Sequence, residues 1–260
     1  MAIITLTSDW GDKDYYSAAV KGSIYRQIPD VLIVDITHKI RAFEIAQAAY
    51  VLKNAFPNFP DGTIHIIGVN SEESIDEPHT VAYFQKQYFI GTDNGIFSLL
   101  FEGKSPEKVI ELDILQETES FTFSSRDRFV KAAVHLAGGG DLDELGKVRS
   151  ELNQRISLKP IRDKNRIRGV IVYIDNYKNI ITNISKKMLQ ALVKKRSFQI
   201  QVRGGEINKI SDSYGDVPAG TLVALYSAND TLEIAINQGP ASALLGIGVG
   251  DAVIVEIEEG

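Results

Sequence analysis

At 260 residues the chain can bury one large core or two ordinary ones without metal or disulfide support. It has no cysteine, which excludes a disulfide scaffold, a thiolate nucleophile, thiolate metal sites and iron-sulfur clusters. A net charge of -6 suits solubility and argues against a nucleic-acid partner, because a phosphate backbone wants a basic footprint.

Met1 to Ser8 is a short apolar run that stops at Asp9 with no basic flank, so it does not read as a signal peptide. No apolar stretch is long enough to span a bilayer, and the expected location is cytoplasmic, with no membrane partner. Ile3 to Thr7, Leu32 to Ile36 and Thr63 to Val69 read as buried strands. Asp14 to Gln27 and Phe43 to Ala55 read as the helices between them, the first with Ala19, Val20, Ser23 and Ile24 on one side. This alternation is the βα signature of a mostly parallel sheet covered by helices. His79 to Ile90 alternates like an exposed hairpin with Gln85-Lys86-Gln87 at its tip, and Gly91 to Leu100 reads as turn-rich. Ser124 to Leu136 is a third helix, in which Ser124 is placed to accept the Asp127 amide, and Gly138-Gly139-Gly140 ends it.

Residues 1–150 therefore form an α/β domain, and 151–167, where apolar periodicity lapses, form a linker. Residues 168–260 form a small antiparallel β-barrel or sandwich. Its strands are Gly169 to Ile174, Ile180 to Ile184, Phe198 to Arg203, Thr221 to Tyr226, Leu232 to Ile236 and Asp251 to Ile257, with one helix from Ser185 to Val193. Basic runs at Lys186-Lys187 and Lys194-Lys195-Arg196 read as solvated helix faces.

Candidate site residues gather at strand ends. Ser8-Asp9-Trp10-Gly11-Asp12-Lys13-Asp14 follows the first strand, where open α/β sheets bind ligands. Asp9 is suited to hold a ribose diol, Trp10 offers a flat apolar wall, and Asp14 is placed either to cap the next helix or to meet a ligand amine. Neither a G-x-G-x-x-G series nor a phosphate loop follows that strand. Asp175-Asn176-Tyr177-Lys178-Asn179 joins two apolar strands; its carboxylate and amides can read an adenosyl group or simply close the turn. His38, His65, His79 and His135 lack metal-ligand spacing, so no metal is expected. His38 reads as a loop-orienting residue, His65 and His135 as packing or surface residues, and His79, beside Pro78, as solvated or as a replacement base.

These segments, in order, resemble the family of S-adenosylmethionine (SAM) hydroxide adenosyltransferases and their fluorinating and chlorinating relatives. The resemblance runs almost end to end. It is carried by Ser8-Asp9-Trp10-Gly11 with Asp14, Lys21-Gly22, Pro29-Asp30 leading to Val34-Asp35-Ile36-Thr37-His38, Phe59-Pro60-Asp61-Gly62-Thr63, Asp93-Asn94-Gly95, Phe123-Ser124-Ser125-Arg126-Asp127, Asp175 to Asn183 and Glu233-Ile234-Ala235. It implies a homotrimer with sites between neighbouring subunits, and SAM as substrate or ligand, with no cofactor. Carried over, Asp9 resembles the ribose-diol ligand, Asp14 the methionine-amine contact, and Trp10 and Phe43 pocket walls. Asp175 and Asn179 resemble methionine or adenosyl contacts, Ser227 a position near the methionine carboxylate, and the Gly239-Pro240-Ala241 turn a neighbour of adenine.

The nucleophile side departs from that pattern. Hydroxide-using members hold the attacking water with an Asp, an Arg and a His; here Asn70 stands for the Asp, Ser71 to Pro78 lacks the Arg and the glycines, and Ser124 stands for the His. Phe123-Ser124-Ser125 resembles the halogenase loop instead. Glu72, Glu73 and Asp76 are candidate replacement bases, yet carboxylates there also repel halide. Asn70, Ser124 and Ser125 are thus the expected nucleophile-side residues. The implied function is a divergent, adenosine-forming SAM hydrolase; the alternatives are a non-catalytic adenosyl-ligand binder, a halide-using relative, and a structural oligomer with a decayed pocket.

Overall fold

A computed structural model describes residues 1–115, 122–194 and 196–257; Lys195 of the second basic run lies outside the described residues. The chain divides into two compact units, Met1–Ser157 and Leu158–Gly260.

The first unit contains β1 (Ile3–Ser8), α1 (Tyr16–Gln27), β2 (Leu32–Thr37), α2 (Ile45–Ala55), β3 (Ile64–Gly68), β4 (His79–Phe84), β5 (Gln87–Thr92), α3 (Ile96–Leu100), β6 (Lys108–Leu112), a π-helical turn (Ser125–Phe129), α4 (Val130–Ala137) and β7 (Gly146–Val148). The seven strands form one sheet in the order β2-β1-β3-β5-β4-β6-β7. The half made by β2, β1, β3 and β5 is parallel; β4, β6 and β7 join antiparallel. Helices cover both faces. Ile4, Leu6, Ile64 and Ile66 pack with Val20 and Ile24 of α1 and with Ala133 and Leu136 of α4. Ile67, Val69 and Phe89 pack with Ala48 and Leu52 of α2 and Phe97 and Leu100 of α3. Alternate residues of β3 thus feed opposite cores, as the period of two requires.

Several expectations change at this level. β2 is an edge strand and not a buried one: its residues are exposed or half-buried, with Leu32 open to solvent. The β4–β5 hairpin is not exposed, because it lies between β3 and β6 with helices on both faces, and nearly all its residues are buried. Its turn residues, Gln85 and Lys86, both take positive φ (50° and 60°), the geometry a two-residue hairpin favours. Gly91 to Leu100 contains the buried helix α3. The third helix opens with a π-helical turn in which Ser124 makes no side-chain cap bond; the Asp127 amide donates to the Phe123 carbonyl instead.

The second unit contains β8 (Ile161–Arg162), β9 (Arg166–Ile174), β10 (Ile180–Ser185), α5 (Lys186–Val193), β11 (Phe198–Val202), β12 (Gly205–Ile207), β13 (Leu222–Tyr226), β14 (Thr231–Ile236), α6 (Ala241–Leu245) and β15 (Ala252–Ile257). Its strands run β12-β11-β15-β9-β10-β14-β13, with β8 also on β9, all antiparallel, and make a nearly closed barrel. Ile167, Ile171, Ile184, Ile200, Ile234 and Val255 fill the interior. Ser185 caps α5 by accepting the Met188 amide at 3.2 Å.

Candidate active site

In the first unit the candidate residues converge at the C-terminal ends of the parallel strands. β1 delivers Ser8, Asp9 and Trp10; its neighbour β3 delivers Gly68, Val69 and Asn70. An open sheet leaves this edge free for ligands, because its helices return the chain to the opposite edge.

Asp9 is half-buried, and its Oδ2 accepts the backbone N–H of Phe43 at 2.9 Å. Phe43 sits at φ 67° and is 72% exposed, a backbone conformation that costs a bulky residue about 1–3 kcal/mol. The loop after β2 is clasped to the loop after β1. Gly11 donates to the His38 carbonyl at 2.7 Å, Ser8 Oγ meets His38 Nδ1 at 2.6 Å, and Ile40 donates to the Ser8 carbonyl at 3.3 Å. The His38 ring stacks on Trp10 with centroids 5.7 Å apart, so His38 orients the loop. Trp10 packs against Gly68, where a Cβ would come within 2.2 Å of its ring. Its other neighbour is Phe123, edge-on at 6.1 Å, which brings the Ser124–Ser125 turn to the same place.

Asp14 does not cap α1: the helix begins at Tyr16, its cap position is Tyr15, and no side chain caps it. The Asp14 carboxylate stands exposed beside the site loop.

On the nucleophile side, Asn70 adopts φ 46°, which Asn tolerates better than most residues. Its carbonyl accepts the Asn94 side-chain amide at 3.0 Å, while Asn94 Oδ1 accepts the Ile96 amide at 3.2 Å. Ser124 and Ser125 are buried, and Ser125 Oγ lies 3.4 Å from Ser71 Oγ. Glu73 is not a free base, for it pairs with Arg128. His79 is not solvated: it opens β4 fully buried, against Phe129 and Arg128. Burial lowers its pKa, opposed by its bond to the Ser71 carbonyl and by Glu73, and reinforced by Arg128. Ser71, His79, Asn94 and Arg128 are contributors that sequence reasoning missed or misplaced. Asn94 carried a signal in the Asp93-Asn94-Gly95 motif, and His79 one as a replacement base. Gly95 there is at φ 93° with Arg155 packed directly over it, so a side chain is excluded.

In the second unit, Asp175 and Asn179 bind each other. Asp175 Oδ1 accepts the Asn179 amide at 2.8 Å and Oδ2 accepts its side-chain amide at 3.1 Å, closing the β9–β10 turn. The Lys178 carbonyl of that turn accepts the Ser242 amide at 2.9 Å, which brings the Gly239-Pro240-Ala241 turn alongside. Beside them, Glu233 is buried and accepts the Tyr214 hydroxyl at 2.6 Å. Burial raises the Glu233 pKa against the opposing Tyr214 bond, and the Asp175 charge adds to the rise. Ser227 is not brought to this cluster. The register pairs Ile180 with Ile234 and Ser185 with Thr231, so the Ser227 loop and Asn179 lie toward opposite ends of the β10–β14 pair. Its hydroxyl is engaged with Asn229 and with Thr231 in its own turn.

Among the described residues no group of three or more His, Asp or Glu is placed to hold a metal ion, and no helix is long and apolar enough to cross a membrane.

The model of the SAM hydroxide adenosyltransferase N-terminal domain matches residues 4–146, and that of the C-terminal domain matches residues 169–254. The chain belongs to the SAM hydroxide adenosyltransferase family. Within the family it is 29% identical to the (R)-S-adenosyl-L-methionine hydrolase of Thermus thermophilus over 96% of this chain and 98% of that one. It is 32% identical to the enzyme of the same name from Methanocaldococcus jannaschii over 71% of this chain and 67% of that one. A fluorinase from Nocardia brasiliensis is 22% identical over 98% and 97% of the two chains. Among solved structures, an uncharacterized conserved protein from Thermotoga maritima superposes with a TM-score of 0.89 at 28% identity, covering 97% of this chain and 99% of that one. Family membership thus spans both units and includes every candidate segment in the strands' C-terminal cluster.

Proposed function

We propose that the protein hydrolyses SAM to adenosine and methionine by displacement at the ribose 5′ carbon. The observation that carries this reading is the clasp at the end of β1, where Asp9 is held by the Phe43 amide with Trp10 beside it, together with the family's hydrolases. Asp9 is assigned the ribose diol, Trp10 and Phe43 the walls, and Asp14, freed from capping, the methionine amine. Asp175 and Asn179 are assigned adenosyl or methionine contacts. Asn70, Ser124 and Ser125 line the nucleophile side. The assembly is a cytoplasmic homotrimer whose sites are completed by neighbouring subunits.

In the reaction, water oxygen bonds to C5′ as the carbon-sulfur bond breaks and its electron pair returns to sulfur, giving neutral methionine thioether; the excess proton leaves to solvent. Because an uncharged or anionic nucleophile meets a sulfonium, a dry pocket that aligns the attacking oxygen supplies most of the acceleration. Aromatic walls suit the sulfonium. Bulk water has a pKa of about 15.7, and neither Asn70 nor the Ser124 hydroxyl is a base that can take its proton at neutral pH. Turnover is therefore expected to be slow. A second reading, non-catalytic binding of an adenosyl ligand, is favoured because Asn70 and Ser124 supply no base.

Purified protein incubated with SAM is expected to release adenosine and methionine in equal amounts, and to do so without halide dependence. Saturable SAM binding with no product above a protein-free control would establish the binder instead, and 5′-halogenated adenosine in chloride or fluoride would establish the halide-using alternative. Light scattering on the same sample should give three times the mass of one chain; a monomer would remove the trimer.

A further inference from the structure

The segment from Ser71 to His79 is held by three side chains that the reaction reading leaves unused. The His79 side chain is 1% exposed. Its Nε2 lies 3.0 Å from the Ser71 carbonyl oxygen, and its Nδ1 lies 3.0 Å from Arg128 Nη1. A guanidinium only donates and a carbonyl only accepts. Nδ1 must therefore accept from Arg128, and the ring proton must sit on Nε2, donated to Ser71. Both ring nitrogens are spent, which leaves His79 no lone pair to take a proton from a nucleophile.

Arg128 does more than meet His79. It pairs with the Glu73 carboxylate and donates Nε to the Ile114 carbonyl at 3.1 Å and Nη2 to the Leu112 carbonyl at 3.5 Å. Glu73 Oε1 in turn accepts the backbone N–H of His79 at 3.4 Å. Arg128 stands three residues beyond Ser125 in the same π-helical turn. One guanidinium thus ties the turn that carries Ser125 to the segment that carries Ser71, and those two hydroxyls meet at 3.4 Å.

We propose that Arg128, His79 and Glu73 are positioning residues that hold the Ser71 and Ser125 hydroxyls as a pair on the nucleophile side, and that the lock closes only with His79 neutral and protonated on Nε2. The proposal rests on the hydrolase reading for its catalytic consequence, and on geometry alone for the lock. The charged groups facing the His79 ring are Glu73 from its own segment and Arg128 from the π-helical turn. Protonation would turn Nδ1 into a donor facing the guanidinium, with Glu73 Oε1 at 3.6 Å as its acceptor instead, and break the Arg128 bond, so the lock opens on acidification.

The test uses the full chain with four variants. Arg128→Met and His79→Phe should lower kcat by about 10- to 100-fold, the cost of a misplacement near 1 Å, with KM for SAM within about twofold and the melting temperature close to wild type. His79→Gln can donate and accept at the same two places, so it should recover most of kcat and lose the acid limb of the pH profile. Arg128→Lys keeps the charge without the fork and should remain impaired. If Arg128→Met kept wild-type kcat and pH profile, or if His79→Gln lost as much as His79→Phe, the positioning role would be overturned. Nitrogen-15 spectra of the histidine rings read the lock without any turnover: a His79 proton on Nδ1 at neutral pH overturns it. A wild-type protein that forms no adenosine overturns the hydrolase reading and the catalytic consequence, while the ring spectra still decide the lock.

Discussion

Asp9 has one carboxylate oxygen committed to the Phe43 amide, so replacing it removes both a ligand acceptor and the bond that holds Phe43 in its left-handed conformation. A charge-assisted hydrogen bond is worth about 1.5–3 kcal/mol. Asp9→Ala is accordingly expected to weaken adenosine binding by roughly 10- to 100-fold in calorimetry; unchanged affinity would remove Asp9 from the site. At this scale the residue type was readable and the partner was not. A carboxylate at a strand end followed by an aromatic announces a polar ligand contact, but nothing in the spacing from Asp9 to Phe43 says that one holds the other. Asp14 shows the reverse. Its position before an amphipathic run suited a cap, and the helix starts one residue too late for it to serve.

At the scale of elements, the approach of the β1 loop to β3 depends on Gly68. A methyl group there would lie 2.2 Å from the Trp10 ring, so the ring and not the strand must move. Overpacking of this kind costs about 1–3 kcal/mol. Because the chain has a single tryptophan, its fluorescence reports this loop alone. Gly68→Ala should shift the emission toward that of an exposed indole and weaken adenosine binding at least about tenfold; an unaltered spectrum would show that Trp10 does not rest on Gly68. Element types were largely legible, since apolar periodicity marked β1, α1, β2, α2 and β3 and the alternating strands of the second unit. Environment was not. β2 and the β4–β5 hairpin exchanged their expected exposure, because burial of a strand is set by its place in the sheet order, and that order is a matter of which strands pair. The hidden elements were α3, β6, β7, β8, β12 and α6, each of five residues or fewer and too short for a period to declare itself.

Across the whole molecule, one buried histidine links the fold to pH. His65 lies in β3 between Thr5, which meets Nδ1 at 2.7 Å, and Gln87, whose Oε1 meets Nε2 at 2.7 Å. Burial lowers its pKa from the ordinary 6.5 to about 4, against a smaller opposing effect of Gln87. A histidine with a depressed folded pKa leaves the unfolded chain binding more protons, so its contribution is complete above pH 6.5 and is lost as pH falls through the window down to about 4. The full loss is about 3 kcal/mol. Urea unfolding should show wild-type stability declining across that window, and His65→Gln, which cannot titrate, should show a flatter profile there; parallel profiles would refute the assignment. Alternating apolar periods were enough to read an α/β unit followed by an antiparallel barrel and to put Asp9, Trp10 and Asp175 at strand ends, because local pattern records which residues face a core or end a strand. Only the tertiary structure decided that His79 is buried, that Glu73 is spent on Arg128, and that Ser71 and Ser125 meet. Those contacts join segments separated by 49 to 55 positions, and such proximity is created by strand pairing and helix packing and not by local sequence.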